Sequence, residues 1–231
     1  GEDTSRYVSA DADDSIYRLI RQGENSIRLH NLDSAVRAYQ RALDMAIHNN
    51  HAEGKFYASI SLAIGYTEFG KYPEAMQWFR QSLIYYPLTS SANRSIHGAR
   101  TLNNIGNLFM YQGHYKEATE YYFRAASLVE KQAYREQQAA DYLIRIYNNI
   151  GNALLYLNEY DRALYYLDKS EALAQTAQLP RQLASVLNHK ARVLCRKQQP
   201  GKAWKYVQQA LVLAKRHGPS LVEYTAYQTI A

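Results

Sequence analysis

Apolar and small residues recur at three- and four-residue intervals on both sides of Gln112-Gly113-His114, and again around Leu157-Asn158-Glu159. That spacing lines one face of an α-helix. The two stretches are copies of one pattern. TLNNIGNLFMYQGHYKEATEYYFRA, Thr101 to Ala125, recurs as YNNIGNALLYLNEYDRALYYLDKS, Tyr147 to Ser170, with Gly106 on Gly151, Tyr115 on Tyr160 and Ala118 on Ala163. Each copy predicts two amphipathic helices joined by a short turn, a helical hairpin.

Weaker copies flank these two. Gly23, Leu32, Ala35, Tyr39 and Ala42 mark a first unit; Ala63, Gly70, Tyr72, Ala75 and Phe79 a second; Ala191, Pro200, Ala203, Val207 and Ala210 a fifth. The small residue in the first helix of each unit is Gly23, Ala63, Gly106, Gly151 and Ala191, giving steps of 40, 43, 45 and 40 residues. A hairpin recurring at a near-fixed period is the mark of a solenoid, because one hairpin cannot bury its apolar face alone.

The pattern resembles the tetratricopeptide repeat: a small residue then an aromatic or Leu in helix A, Gly and an aromatic at the turn, then Ala, aromatic, Ala in helix B. The resemblance covers about Ile16 to Gly218. The family unit is about 34 residues, so the extra residues here must lengthen helices or loops. Long-helix variants similar to this are those of kinesin light chain and the Pins/LGN scaffold. The expected fold is all-α, a right-handed α-solenoid of about five hairpins plus the first helix of a sixth. Small side chains at the helix crossings allow close backbone approach, so a large substitution at Gly106 or Ala118 should unstack the array.

We expect an acidic lead-in over residues 1–14, with five acidic side chains against one Arg, and Asp14-Ser15 capping the first helix. One solenoid domain follows over 15–231, with units at 15–50, 51–90, 91–133, 134–179, 180–218 and a partial 219–231. In the first unit Asn31-Leu32-Asp33 is the expected turn. Pro87 should stop unit two, with Ser90 or Ser91 capping the next helix. The stretch Lys131 to Asp141 has no Gly or Pro and predicts a backward extension of the next helix to near Arg135.

Composition narrows the function. The single cysteine, Cys195, excludes an intramolecular disulfide and argues against structural zinc. His48 and His51 offer a metal only two ligands and a nearby Glu53, too few for a closed site. No metal or cofactor is expected. There is no Gly-rich phosphate loop, no Gly-x-Ser-x-Gly and no His-Glu-x-x-His, and we expect no enzyme. No run is long enough to span a membrane and no signal peptide is visible. The chain starts with Gly1 and ends within a new helical pattern, so we expect a processed or shortened piece of a longer protein. Its compartment stays open, with the cytoplasm favoured and an extracytoplasmic origin also compatible.

The resemblance also gives an orientation: in tetratricopeptide solenoids the A helices line the concave face. Applied here, that face takes Arg100, Asn103, Asn104, Asn107 and Tyr111 in unit three, and Arg145, Asn148, Asn149, Asn152 and Tyr156 in unit four. Unit five adds Asn188, Arg192 and Arg196. Asn103 and Asn107, Asn148 and Asn152, and Asn188 and Arg192 are each four apart and share a helix face. A side-chain amide can pair with the carbonyl and N–H of any extended peptide. The same amides could instead pair between neighbouring A helices and hold register.

The net charge of +6 is uneven: Ala172 to Val222 has nine basic residues and no acidic one. That stretch is a solvated face, a dock for an acidic segment, or, least favoured for want of a nucleic-acid motif, a nucleic-acid surface. The expected partner is a protein or peptide with some acidic character, with end-to-end homodimers through the open last helix as a further expectation. A competing function is the sensory region of a larger bacterial-type signalling or transcriptional regulator, whose effector domain lies outside this stretch.

Overall fold

The A helix of every hairpin ends in the same backbone motif. In a computed structural model, which describes residues 4–217, His30, Gly70, Gly113, Asn158 and Gln198 all have left-handed φ, between 54° and 77°. Each lies seven residues after the small position of its unit. The next N–H reaches back to the carbonyl five residues earlier, as in Asn31 to Ser26, Lys71 to Tyr66, His114 to Phe109, Glu159 to Leu154 and Gln199 to Leu194. This closure satisfies carbonyls that the last turn of a helix leaves open. Only two of the five residues are glycine; the others accept a left-handed cost of about 1 kcal/mol.

The ten described helices are α1 (Thr4–Arg28), α2 (Leu32–His48), α3 (Ala52–Glu68), α4 (Tyr72–Tyr85), α5 (Ser91–Tyr111), α6 (Tyr115–Ala133), α7 (Gln137–Tyr156), α8 (Tyr160–Thr176), α9 (Pro180–Arg196) and α10 (Pro200–His217). No strand occurs among the described residues. The protein is thus all-α, five hairpins of the solenoid type; the expected sixth helix at 219–231 lies outside the described residues. Every connection is three residues long except Tyr86–Ser90, which carries a 3-10 turn. The residues beyond the family's usual unit therefore lengthen helices.

Local differences from the sequence reading have local causes. Helix α1 starts at Thr4, so Asp14-Ser15 lies within it and caps nothing. The first turn is Leu29–Asn31, two residues earlier than expected, because His30 takes the left-handed position and Asn31 caps α2 by accepting from the Ser34 N–H at 3.0 Å. The stretch from Lys131 is shared: α6 keeps residues to Ala133 and α7 begins at Gln137. His51 caps α3, its Nδ1 accepting from the Gly54 N–H at 2.7 Å.

The chain forms two compact units, Gly1–Leu108 and Phe109–Ala231, with the division inside α5. In the first, α2 packs between α1 and α3 and α3 pairs with α4; in the second, α6 through α10 pack each on the next. A helices also touch directly, α1 on α3 and α7 on α9. The repeated positions form the cores. Ala35, Ala75, Ala118 and Ala163 are fully buried, and Tyr39, Phe79, Tyr122, Leu167 and Val207 nearly so. At Gly23 an added Cβ would lie 2.3 Å from the Tyr39 ring, and at Gly151 2.7 Å from Leu167 Cγ. The small position is therefore where helix B drives its large side chain against helix A.

Candidate functional site: the A-helix faces

In the first unit, residues of three A helices surround a cavity of about 420 Å³. Glu24, Ile27 and Arg28 come from α1, Ser61, Ile64, Gly65 and Glu68 from α3, and Arg100 from α5, with His30 and Tyr39 completing the wall. Glu24 and Ile64 directly follow the small residue of their units, as Asn107 and Asn152 do; Arg28 and Glu68 lie five after it, as Tyr111 and Tyr156 do. Extending the register of units three and four into units one and two would have identified them. Of the expected residues, Arg100 lines this cavity, its guanidinium 5.8 Å from the Tyr57 ring centroid. Asn103, Asn104 and Asn107 are half-buried, and the Asn104 amide donates to the Arg100 carbonyl of its own helix at 2.8 Å.

In the second unit the expected ladder separates into two layers. Asn148 is buried, and its Oδ1 accepts from the Ser170 hydroxyl of α8 at 3.1 Å. Asn188, at the same repeat position on α9, is also buried. Both amides therefore face helix packing, and the expectation that they line an open face is corrected. The reason is rotational. They precede the small residue by three, which turns them toward the partner helix B, where Ser170 stands.

Asn152, four residues on, lacks such a partner. It is half-buried, and its Oδ1 is closed off from solvent with no hydrogen-bond partner among the described residues. Such an acceptor costs about 1–3 kcal/mol unless something donates to it. Asn149 and Arg192 are half-buried nearby in the register; Arg145 and Arg196 are exposed. Arg145 pairs with Asp141 at 2.7 Å, and Asp141 also accepts from Gln182 of α9, tying the two A helices together. Tyr111 is exposed, and Tyr156 stacks on Tyr115 with centroids 4.7 Å apart.

The basic last third is partly neutralised from α8. Lys190 is buried, paired with Asp168 at 2.8 Å and with Glu171, and lies 4.4 Å from the Tyr206 ring centroid. Lys197 pairs with Asp161. Cys195 packs against the cluster of Ala191, Leu194, Ala203 and Val207, the setting of a structural thiol. Among the described residues no three His, Cys, Asp or Glu side chains converge as metal ligands, and no helix is long and apolar enough to cross a membrane.

Comparison with known proteins places this geometry. Family models described as tetratricopeptide repeat match residues 101–136 and 143–176. No curated protein matches the sequence. Among solved structures, aspartyl phosphate phosphatase F from Bacillus subtilis superposes with a TM-score of 0.80 at 14% identity, over 98% of this chain and 57% of its own. The chain thus spans little more than half of that protein's length. A Podosopora anserina kinesin light chain protein with nearly identical TPR-like repeats gives 0.69 at 13% identity, over 89% of this chain and 97% of that one. PilF of Pseudomonas aeruginosa gives 0.63 at 20%, over 95% and 90%. At these identities the likeness is one of fold. With five hairpins in one register, the chain contains tetratricopeptide repeats, two of them matched by the family models themselves.

Proposed function

We propose that this protein is an interaction module that holds an extended segment of a protein partner against its A helices. One observation carries the reading: the half-buried amides of Asn107 and Asn152 hold the same register position in two A helices. The Asn152 NH2 would donate to a carbonyl of the bound segment, and its Oδ1, enclosed in the free protein, would accept the segment's N–H once the side chain rotates outward. Asn107 occupies the equivalent position one unit earlier, and Arg192 one unit later. Amides at that position recognise main chain whatever its sequence, while Arg145, Arg192 and Arg196 would add preference for carboxylates in the segment. The chemistry asked of these groups is binding, and no step of it needs a nucleophile or general base.

The test uses a peptide selected from a random library against the wild-type chain. Asn107→Ala with Asn152→Ala should weaken it at least ten-fold while helicity is unchanged. Equal affinity in that double variant would remove the basis of the proposal.

A further inference from the structure

In the second unit a cleft of about 520 Å³ opens between α8 and α10, with Leu183 and Leu187 of α9 as its floor. The preceding hairpin closes the same place with a tyrosine. Tyr147 of α7 lies four residues before the small Gly151, as Leu187 lies four before Ala191. Tyr147 is 2% exposed, its hydroxyl donates to Glu130 of α6 at 2.8 Å, and the Lys169 ammonium of α8 lies 4.9 Å from its ring centroid. In register, Gln175 of α8 stands where Glu130 does and Gln209 of α10 where Lys169 does. Leu187, Gln175 and Gln209 all line the cleft. A leucine ends at the branch from which a tyrosine ring continues, so the slot that one hairpin fills from within is open in the next to an aromatic group from outside.

The polar groups of the wall suit that occupant. The Gln175 side-chain amide donates to Glu171 at 3.4 Å, which leaves the Gln175 oxygen to accept from a hydroxyl. Glu171, the carboxylate of the wall, is paired with the buried Lys190. Lys205, one turn before Gln209 on α10, also lines the cleft, is exposed and forms no ion pair with a described residue. Its ammonium is therefore free to meet the negative face of an aromatic ring, as Lys169 meets Tyr147 one hairpin earlier. The volume falls in the range of ligand-binding clefts.

We infer that this cleft receives the side chain of a tyrosine from a protein partner. The ring packs on Leu183 and Leu187, its hydroxyl donates to the Gln175 side-chain oxygen, and the Lys205 ammonium lies over its face. The site is built from α8, α9 and α10 alone, and neither Asn107 nor Asn152 lines it. It goes beyond the main-chain capture proposed above, since it selects a side chain and stands whether or not the asparagine positions bind.

The probes are three blocked tripeptides, N-acetyl-Ser-X-Ser-amide with X as tyrosine, phenylalanine or leucine, titrated into the full chain by NMR. The tyrosine peptide should shift the Leu183 and Leu187 methyl resonances saturably and bind about five-fold more tightly than the leucine peptide. Leu187→Tyr supplies from within the ring that Tyr147 provides one hairpin earlier, and should abolish binding of all three. Gln175 and Lys205 are exposed, so their replacement leaves the fold intact, which circular dichroism checks; if Leu187→Tyr loses helicity, these two variants decide. Gln175→Met should cut the preference for tyrosine over phenylalanine about three-fold, the size of one hydrogen bond. Lys205→Met should weaken both aromatic peptides about three-fold and leave the leucine peptide unchanged. Leucine binding as well as tyrosine, tyrosine binding that survives a folded Leu187→Tyr, or no response to Gln175→Met and Lys205→Met overturns the inference. Asn107→Ala with Asn152→Ala should bind the tyrosine peptide as the wild type does. A loss in that variant would put the peptide on the A-helix face and overturn the assignment to this cleft, while leaving main-chain capture standing.

Discussion

His97 in the first unit and Lys190 in the second are buried to the same degree, 3% and 5% exposed, and end in opposite protonation states. His97 stacks on Phe56 with centroids 4.2 Å apart, its Nδ1 3.1 Å from Thr89 Oγ1 and its Nε2 3.1 Å from the Tyr57 hydroxyl. The Thr89 hydroxyl donates to the Tyr86 carbonyl, so it can only accept from His97; Nδ1 carries the proton and Nε2 accepts from Tyr57. Burial brings the His97 pKa down to about 4; Arg100 adds to the fall and Glu53 opposes it. Around Lys190, burial also favours the neutral form, but hydrogen bonds with Asp168, Glu171 and Tyr206 and the charge of Glu171 outweigh it and raise the pKa. Desolvation is common to both sites. What separates them is whether carboxylates reach the buried group within hydrogen-bonding distance.

The comparison breaks most severely if Lys190 is removed. Lys190→Ala leaves Glu171, itself largely covered, without its counter-charge. The expected loss is about 4 kcal/mol, in line with breaking a buried pair, read as a shift in urea midpoint. Lys190→Met, which keeps the stem packed on Tyr206, should lose less.

Acid sharpens the contrast. His97 has a folded pKa below its unfolded value of 6.5, so the unfolded chain binds the extra proton first. Its contribution is complete above pH 6.5 and is lost as pH falls toward about 4, up to about 3 kcal/mol. Urea melts at pH 7, 5.5 and 4.5 should show this slope, and His97→Gln should flatten it. Lys190 has the opposite sign: its folded pKa exceeds the unfolded 10.5, so its contribution is intact below that value and lost above it. His189 of the second unit resembles His97. Burial and Arg192 lower its pKa to about 4 against the Ser185 carbonyl that its Nδ1–H meets at 2.8 Å. Acid sensitivity thus follows the neighbours of each group, in whichever unit it lies.

Steric substitution asks whether charge or packing dominates the second unit. Gly151→Val must displace Leu167 and should cost roughly 2 kcal/mol, less than Lys190→Ala. The smallest effect has the opposite sign. Asn152→Ala deletes an unpaired enclosed acceptor and should stabilise the free protein by about 1 kcal/mol while weakening peptide binding. A loss of stability instead would show that Asn152 serves the fold.

The hairpins were readable because they are local and repeated. Small residue, turn and alanine recur at one spacing, so even Asn158 could be placed without a glycine to mark it. The first turn was misplaced because His30 is an unexpected left-handed residue, and α1 was begun late because residues 4–13 have no apolar stripe. The site was only half legible. Periodicity put Asn148 and Asn152 on one face, but four residues turn a helix by slightly more than one turn. That residual rotation brings one amide against Ser170 and leaves the other without a donor.

The sequence by itself determined the five hairpins, their register and the all-α architecture, since each depends on residues a few positions apart. Tertiary structure alone decided the protonation of His97 and Lys190 and the pairing of Asn148. Their partners lie far along the chain: Tyr57 is 40 residues from His97, Ser170 22 from Asn148 and Glu171 19 from Lys190. Periodicity fixes which way a side chain points from its own helix, and only packing brings the second helix that determines what it meets.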